Sequence, residues 1–112
     1  MPLPDLLNVP QNPQDWQIWS FAHRDQHRLI RNAIQATYNI NLTEYQLDPI
    51  NLGQFQFFLD QNQNAHDDFN GVLNLQSSDL LLTDINDKAQ LQAWIYLHRR
   101  EHENAANALK IS

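Results

Sequence analysis

At 112 residues, 42% of them hydrophobic, the chain has material for one compact domain with a single core. It has no cysteine, so disulfides and thiolate metal sites are excluded and the redox compartment is not legible. Thirteen acidic against seven basic residues, a formal charge of −6, argue against general nucleic-acid binding, which needs clustered Lys and Arg to neutralise phosphates.

Charged residues make up 18% of the chain, below the roughly 25% of an average globular domain, and 13 Asn and 13 Gln fill the deficit. The resulting surface is polar but weakly charged, which suits a subunit packed among neighbours. No run of about 18 apolar residues suggests a membrane span. The opening Met1-Pro2-Leu3-Pro4-Asp5 has neither the basic region nor the apolar core of an export signal. A soluble protein without an address is expected.

Residues 1–12 read as an extended arm, and residues 13–112 as a helical domain. Pro2, Pro4, Pro10 and Pro13 hold the backbone in extended or polyproline-like conformations, while Leu3, Leu6, Leu7 and Val9 offer apolar contacts. The arm either folds back over its own bundle or reaches a neighbouring subunit, and Leu3, Leu6 and Leu7 are the contact residues in the second case.

A first helix is predicted over 13–37, with Asn12 as N-cap, Pro13 at the first helical position and Asp15 in the first turn. Trp16, Trp19, His23, Ile30, Ala33 and Ile34 recur at three and four residues and form its inward stripe. Residues 38–48 form a connector with one helical turn at 43–46, stopped by Asp48-Pro49. Asn51 with Gln54 resembles a capping box opening a second helix over 52–70, striped by Leu52, Phe55, Leu59, Asn62, His66 and Phe69 and ended by Gly71. After a long link with the apolar run Leu80-Leu81-Leu82, Asp84 or Asn86 caps a third helix over 87–109. Its stripe is Leu91, Trp94, Ile95, His98, His102, Ala105 and Leu109. Three such stripes give an all-α fold, a small antiparallel three-helix bundle.

All five histidines fall on these stripes. HRDQH (His23, His27) and HRREH (His98, His102) each space two rings four residues apart, on one helical face. With His66, and Glu101 or Asp67 nearby, they could assemble a histidine and carboxylate site for zinc, iron or nickel. The four-residue spacing lacks the glutamate that makes HExxH diagnostic, and buried imidazoles also serve as scaffold. The expectation is therefore structural or interfacial histidines without a cofactor, with a histidine-rich metal-binding bundle as the alternative.

Arg24, Arg28 and Arg31 make a basic ridge that either is solvated or meets an acidic partner or phosphate. Phe55, Phe57 and Phe58 cannot all face one way on a helix, so Phe57 is expected to be exposed or docked on a partner. The aromatic residues at helical spacing read as core. No nucleophile elbow, phosphate loop or redox pair is present, no catalytic residue is assigned, and an enzyme is not expected.

The PLPDLL arm, the DWQIWSFAHRDQHRLIRNAI helix, the NLTEYQLDPI link and the AWIYLHRREHENA helix together resemble a group of small proteins encoded among the structural genes of tailed bacteriophages. The resemblance covers most of the chain, and its patterns have no assigned chemistry. It implies a virion component, a minor capsid, connector or tail-associated protein made in the cytoplasm of a bacterial host. Its partners would be other virion proteins and copies of itself.

Overall fold

The computed structural model describes residues 13–47, 55–77, 82–84 and 87–110. These residues hold three helices and no strand: α1 (Pro13–Tyr38), α2 (Phe55–Leu73) and α3 (Lys88–Leu109). Each helix packs against the other two, which makes an all-α three-helix bundle. The 1–12 arm with Leu3, Leu6 and Leu7, the caps expected at Asn12 and Asn51, the Asp48-Pro49 stop and Leu80-Leu81 lie outside the described residues.

The direction of the helices differs from the antiparallel expectation. Trp16 meets Phe55 at 5.5 Å between ring centroids and Trp19 meets Phe58 at 6.0 Å, while farther along His27 meets His66 at 5.1 Å. Between α1 and α3 the order is the same: Trp19 with Trp94 at 5.8 Å, His23 with His98 at 4.6 Å, His27 with His102 at 4.6 Å. Rising numbers pair with rising numbers, so all three helices run parallel.

Parallel neighbours require links that travel back along the bundle. The 19-residue α2 is about 28 Å long at 1.5 Å per residue, and even the shorter link, 74–87, reaches roughly 46 Å when extended. The links pack as they return. Leu42 joins Ile30, Ile34 and Phe69 near the C-terminal ends of the helices, and Leu47 is buried farther back. On the other side Leu75 packs in that same cluster, Asn70 donates to the Ser77 hydroxyl at 3.2 Å, and Leu82 reaches the cluster of Trp16 and Leu91 at the opposite end.

The caps also differ in detail. Asp87 opens α3, in place of Asp84 or Asn86, because its carboxylate accepts from the backbone N–H of Ala89 at 3.0 Å and of Gln90 at 3.2 Å. Gly71 does not end α2. The helix runs on to Leu73, and Asn74 takes the left-handed turn at φ 56°. Leu75 N–H then donates to the Asn70 carbonyl at 2.9 Å and Asn74 N–H to that of Gly71 at 3.4 Å, the paired bonds of a Schellman stop. Asn39, also at φ 56°, ends α1 with its N–H on the Gln35 carbonyl at 2.9 Å. The turn expected at 43–46 is not helical.

The first seven buried positions of each helix follow one spacing: 16, 19, 20, 23, 26, 27, 30 in α1; 55, 58, 59, 62, 65, 66, 69 in α2; 91, 94, 95, 98, 101, 102, 105 in α3. Matching positions share a level of the bundle. Trp16, Trp19, Phe55, Phe58, Leu91 and Trp94 fill the levels at the N-terminal end, and Ile30, Ile34, Phe69 and Ala105 those at the other. Each such side chain contributes roughly 1.5–3 kcal/mol when taken out of water. Between the two apolar clusters the stripe turns polar, and there the five histidines meet.

Candidate metal centre

Two levels one helical turn apart build the centre. The lower is His23, Asn62 and His98; the upper is His27, His66 and His102. All six side chains are buried, and His23, Asn62, His66 and His98 have no solvent contact. The spacing of four in α1 and α3 stacks one ring above the other on the same face, as the sequence indicates. Indoles from the lower cluster fix two of the rings: Trp19 stacks on His23 at 4.5 Å and 19°, and Trp94 stacks on His98 at 4.5 Å and 12°.

Each histidine brings one ring nitrogen to a common region, and all five lie within 4.8 Å of one another. The Nε2 atoms form a path: His27 to His23 at 3.0 Å, His23 to His98 at 2.9 Å, His98 to His102 at 3.3 Å, His102 to His66 at 3.1 Å. Burial pushes every one of these imidazoles below its ordinary titration range. For His23, His27, His98 and His102 the neighbouring histidines push further in the same direction, while Glu101 draws His66 partly back up. At neutral pH the rings are therefore uncharged, which is the form that ligates metals.

Hydrogen bonding alone does not account for this path. An imidazole nitrogen carries either one proton or one in-plane lone pair, so each makes a single hydrogen bond. Five nitrogens joined by four contacts can satisfy at most two of those contacts at once. A cation at the centre satisfies all five lone pairs together. Ligand bonds of ~2.0–2.1 Å set neighbouring donors about 2.9 Å apart at right angles and about 3.3 Å apart in a tetrahedron, and the observed spacings of 2.9 to 3.3 Å span that interval.

Glu101, also buried, stands behind this ring of donors. Its Oε1 faces His66 Nδ1 at 3.1 Å and accepts from Asn70 Nδ2 at 2.7 Å. A proton on Nδ1 leaves the Nε2 lone pair directed at the centre, the carboxylate, histidine and metal order of known sites. Asp67, the other carboxylate considered from sequence, is exposed and accepts from Gln63 Nε2 at 2.9 Å, so it stands apart from the centre.

The remaining candidates lie outside the cluster. Arg24, Arg28 and Arg31 line a surface cleft of about 360 Å³ together with Asp25, Glu44, Tyr45 and Asp68. Within it Arg28 approaches Asp25 at 3.7 Å and Arg31 approaches Glu44 at 3.5 Å, while Arg24 lies 5.2 Å from the ring centroid of Phe21 outside the cleft. The ridge is thus answered largely by this chain's own acids. Phe57 is half exposed, while Phe55 and Phe58 are core. Asn62, placed on the inward stripe of the second helix by its spacing but given no role there, and Asn70, which was not placed, are both buried amides. Comparison with family models, with curated proteins and with solved structures finds no match to this chain.

Proposed function

We propose that this chain is a metal-binding helical bundle, holding one first-row transition-metal ion in its core through His23, His27, His66, His98 and His102. The observation that carries the reading is the convergence of five buried ring nitrogens within 4.8 Å, a number of lone pairs that hydrogen bonds among themselves cannot satisfy. Neutral imidazole donors suit zinc, copper, iron or nickel, while magnesium and calcium call for oxygen cages. In this role the ion joins all three helices at mid-height, so binding free energy becomes folding free energy. The reading assigns ion binding, not turnover. Thermal unfolding of protein purified without a histidine tag tests it: a chelator should lower the midpoint and one equivalent of the ion should restore it. A folded, untagged chain that takes up none of these ions on reconstitution, its midpoint unmoved by ion or chelator, would remove the proposal.

A second reading, compatible with the first, concerns partners. Ile18, Phe21, Phe57, Tyr96 and Leu97 are exposed, and all five sit at the N-terminal levels of the parallel bundle. Apolar side chains on the outside of all three helices at one end make a collar of the kind that docks on neighbours. This favours the virion reading, in which the collar and the apolar arm contact other subunits. Detection of the chain in purified phage particles tests it, and its consistent absence from them would refute it.

A further inference from the structure

Building on the metal reading, we infer that Asn62 is the sixth ligand of the centre, and that the site is a six-coordinate, five-nitrogen and one-oxygen shell for a divalent ion of the iron, cobalt and nickel group. The two levels supply three donors each: His23, Asn62 and His98 below, His27, His66 and His102 above. Two stacked triangles of donors, when staggered, are an octahedron seen along its threefold axis.

Three observations point to Asn62 as a member of this shell. Its side chain is fully buried, and Oδ1 lies 3.1 Å from His98 Nε2, within the same range as the contacts among the nitrogens. His98 Nε2 therefore has three near neighbours, His23, His102 and Asn62, although it has only one proton or one lone pair to offer. Asn62 Nδ2 finds no hydrogen-bond partner among the described residues. A buried amide that leaves its nitrogen unpaired is a costly scaffold residue. The placement of its oxygen is explained once that oxygen is a ligand.

The distances favour six donors over four. Octahedral bonds of ~2.1 Å place adjacent donors about 3.0 Å apart and opposite donors about 4.2 Å apart. The five short contacts run from 2.9 to 3.3 Å, and the widest nitrogen pair, within 4.8 Å, need draw in by only about 0.6 Å to reach the opposite-donor spacing. A tetrahedral ion would leave one or two buried imidazoles unligated at the same centre. Zinc in structural sites is almost always tetrahedral, so a six-donor shell is the less usual one for it.

Cobalt(II) is the probe, because six-coordinate cobalt absorbs weakly in the visible and four-coordinate cobalt intensely. The cobalt-loaded wild-type protein is expected to show the weak spectrum, and its X-ray absorption fine structure six nitrogen or oxygen neighbours. Asn62→Leu is expected to bind cobalt at least about 10-fold more weakly, the lower limit for losing even a supporting group, with a spectrum of lower coordination number. Asn62→Asp, which keeps an oxygen donor, should retain the six-coordinate spectrum. An intense four-coordinate spectrum in the wild type would overturn the inference while leaving the metal reading intact. So would an Asn62→Leu spectrum and affinity equal to those of the wild type. Should Asn62→Leu not fold, Asn62→Ala is read in its place, with the same expected loss of affinity and the same overturning result. Absence of cobalt binding in the folded wild-type protein would overturn both readings.

Discussion

His66 Nδ1 and Glu101 Oε1 face each other at 3.1 Å in the bundle core, joining α2 to α3 across the interface. The carboxylate selects the tautomer that turns His66 Nε2 toward the other histidines, and Asn70 Nδ2, at 2.7 Å, holds the carboxylate in place. Removing the charge while keeping the shape isolates this role. Glu101→Gln should leave the helical fold intact and weaken metal affinity by about 10–100-fold, the usual effect of losing an outer-sphere partner. Competition against a chromogenic chelator measures it. An affinity equal to wild type would show that Glu101 does not orient the ligand.

The depressed titration of the histidines fixes a pH dependence. In the folded chain burial holds the five rings below their ordinary range, whereas in the unfolded chain each titrates near its usual value of about 6.5. Below that value the unfolded state binds more protons than the native state, so stability falls as pH falls; well above it neither state gains protons and stability is level. Each ring that stays neutral only in the native state contributes about 1.4 kcal/mol per pH unit to the slope. Denaturant unfolding should give similar stabilities at about pH 8 and 7 and a steep loss below about 6.5. A level profile down to about pH 5 would contradict the buried, neutral state.

Asn74 tests the stop that ends α2. At φ 56° it adopts a conformation that β-branched residues avoid. Asn74→Val should lower stability by about 1–2 kcal/mol, and Asn74→Gly should be neutral or stabilising. Equal stability of the three proteins in chemical denaturation would show that the left-handed turn is absent.

The collar yields a prediction about association. Phe57 and Ile18 are exposed, so Phe57→Ser and Ile18→Ser should change stability by no more than about 0.5 kcal/mol. Self-association, read by sedimentation, should weaken. If the substitutions instead lower stability strongly and leave association unaltered, these side chains belong to this chain's own core.

Much of this was legible because the stripes repeat at helical spacing. Trp16, Trp19 and His23 in α1 and Leu91, Trp94, Ile95, His98 and His102 in α3 announce which faces turn inward, and all of them are buried. Helix direction was harder to read, since an amphipathic stripe looks the same up or down. The clue lay in the links at 39–54 and 74–87, which are long enough to return along the bundle, whereas short loops go with antiparallel neighbours. Gly71 misled because a glycine after Asn70 reads as a stop, yet the left-handed residue is Asn74. In the centre, paired histidines were visible by spacing. The roles of Asn62 and Asn70 were not, because an amide on a buried stripe carries no mark of its role until its neighbours across the helix interface are known.

Five histidines holding one ion fix a stoichiometry that can be counted. Native mass spectrometry of the untagged protein, reconstituted with a single equivalent of nickel(II) or cobalt(II), counts ions per chain directly. One tightly held ion per chain is expected in the wild type, with loss of that ion in His66→Ala combined with His102→Ala. A folded wild-type chain that retains no ion, or a double variant that retains it as firmly, would contradict the account.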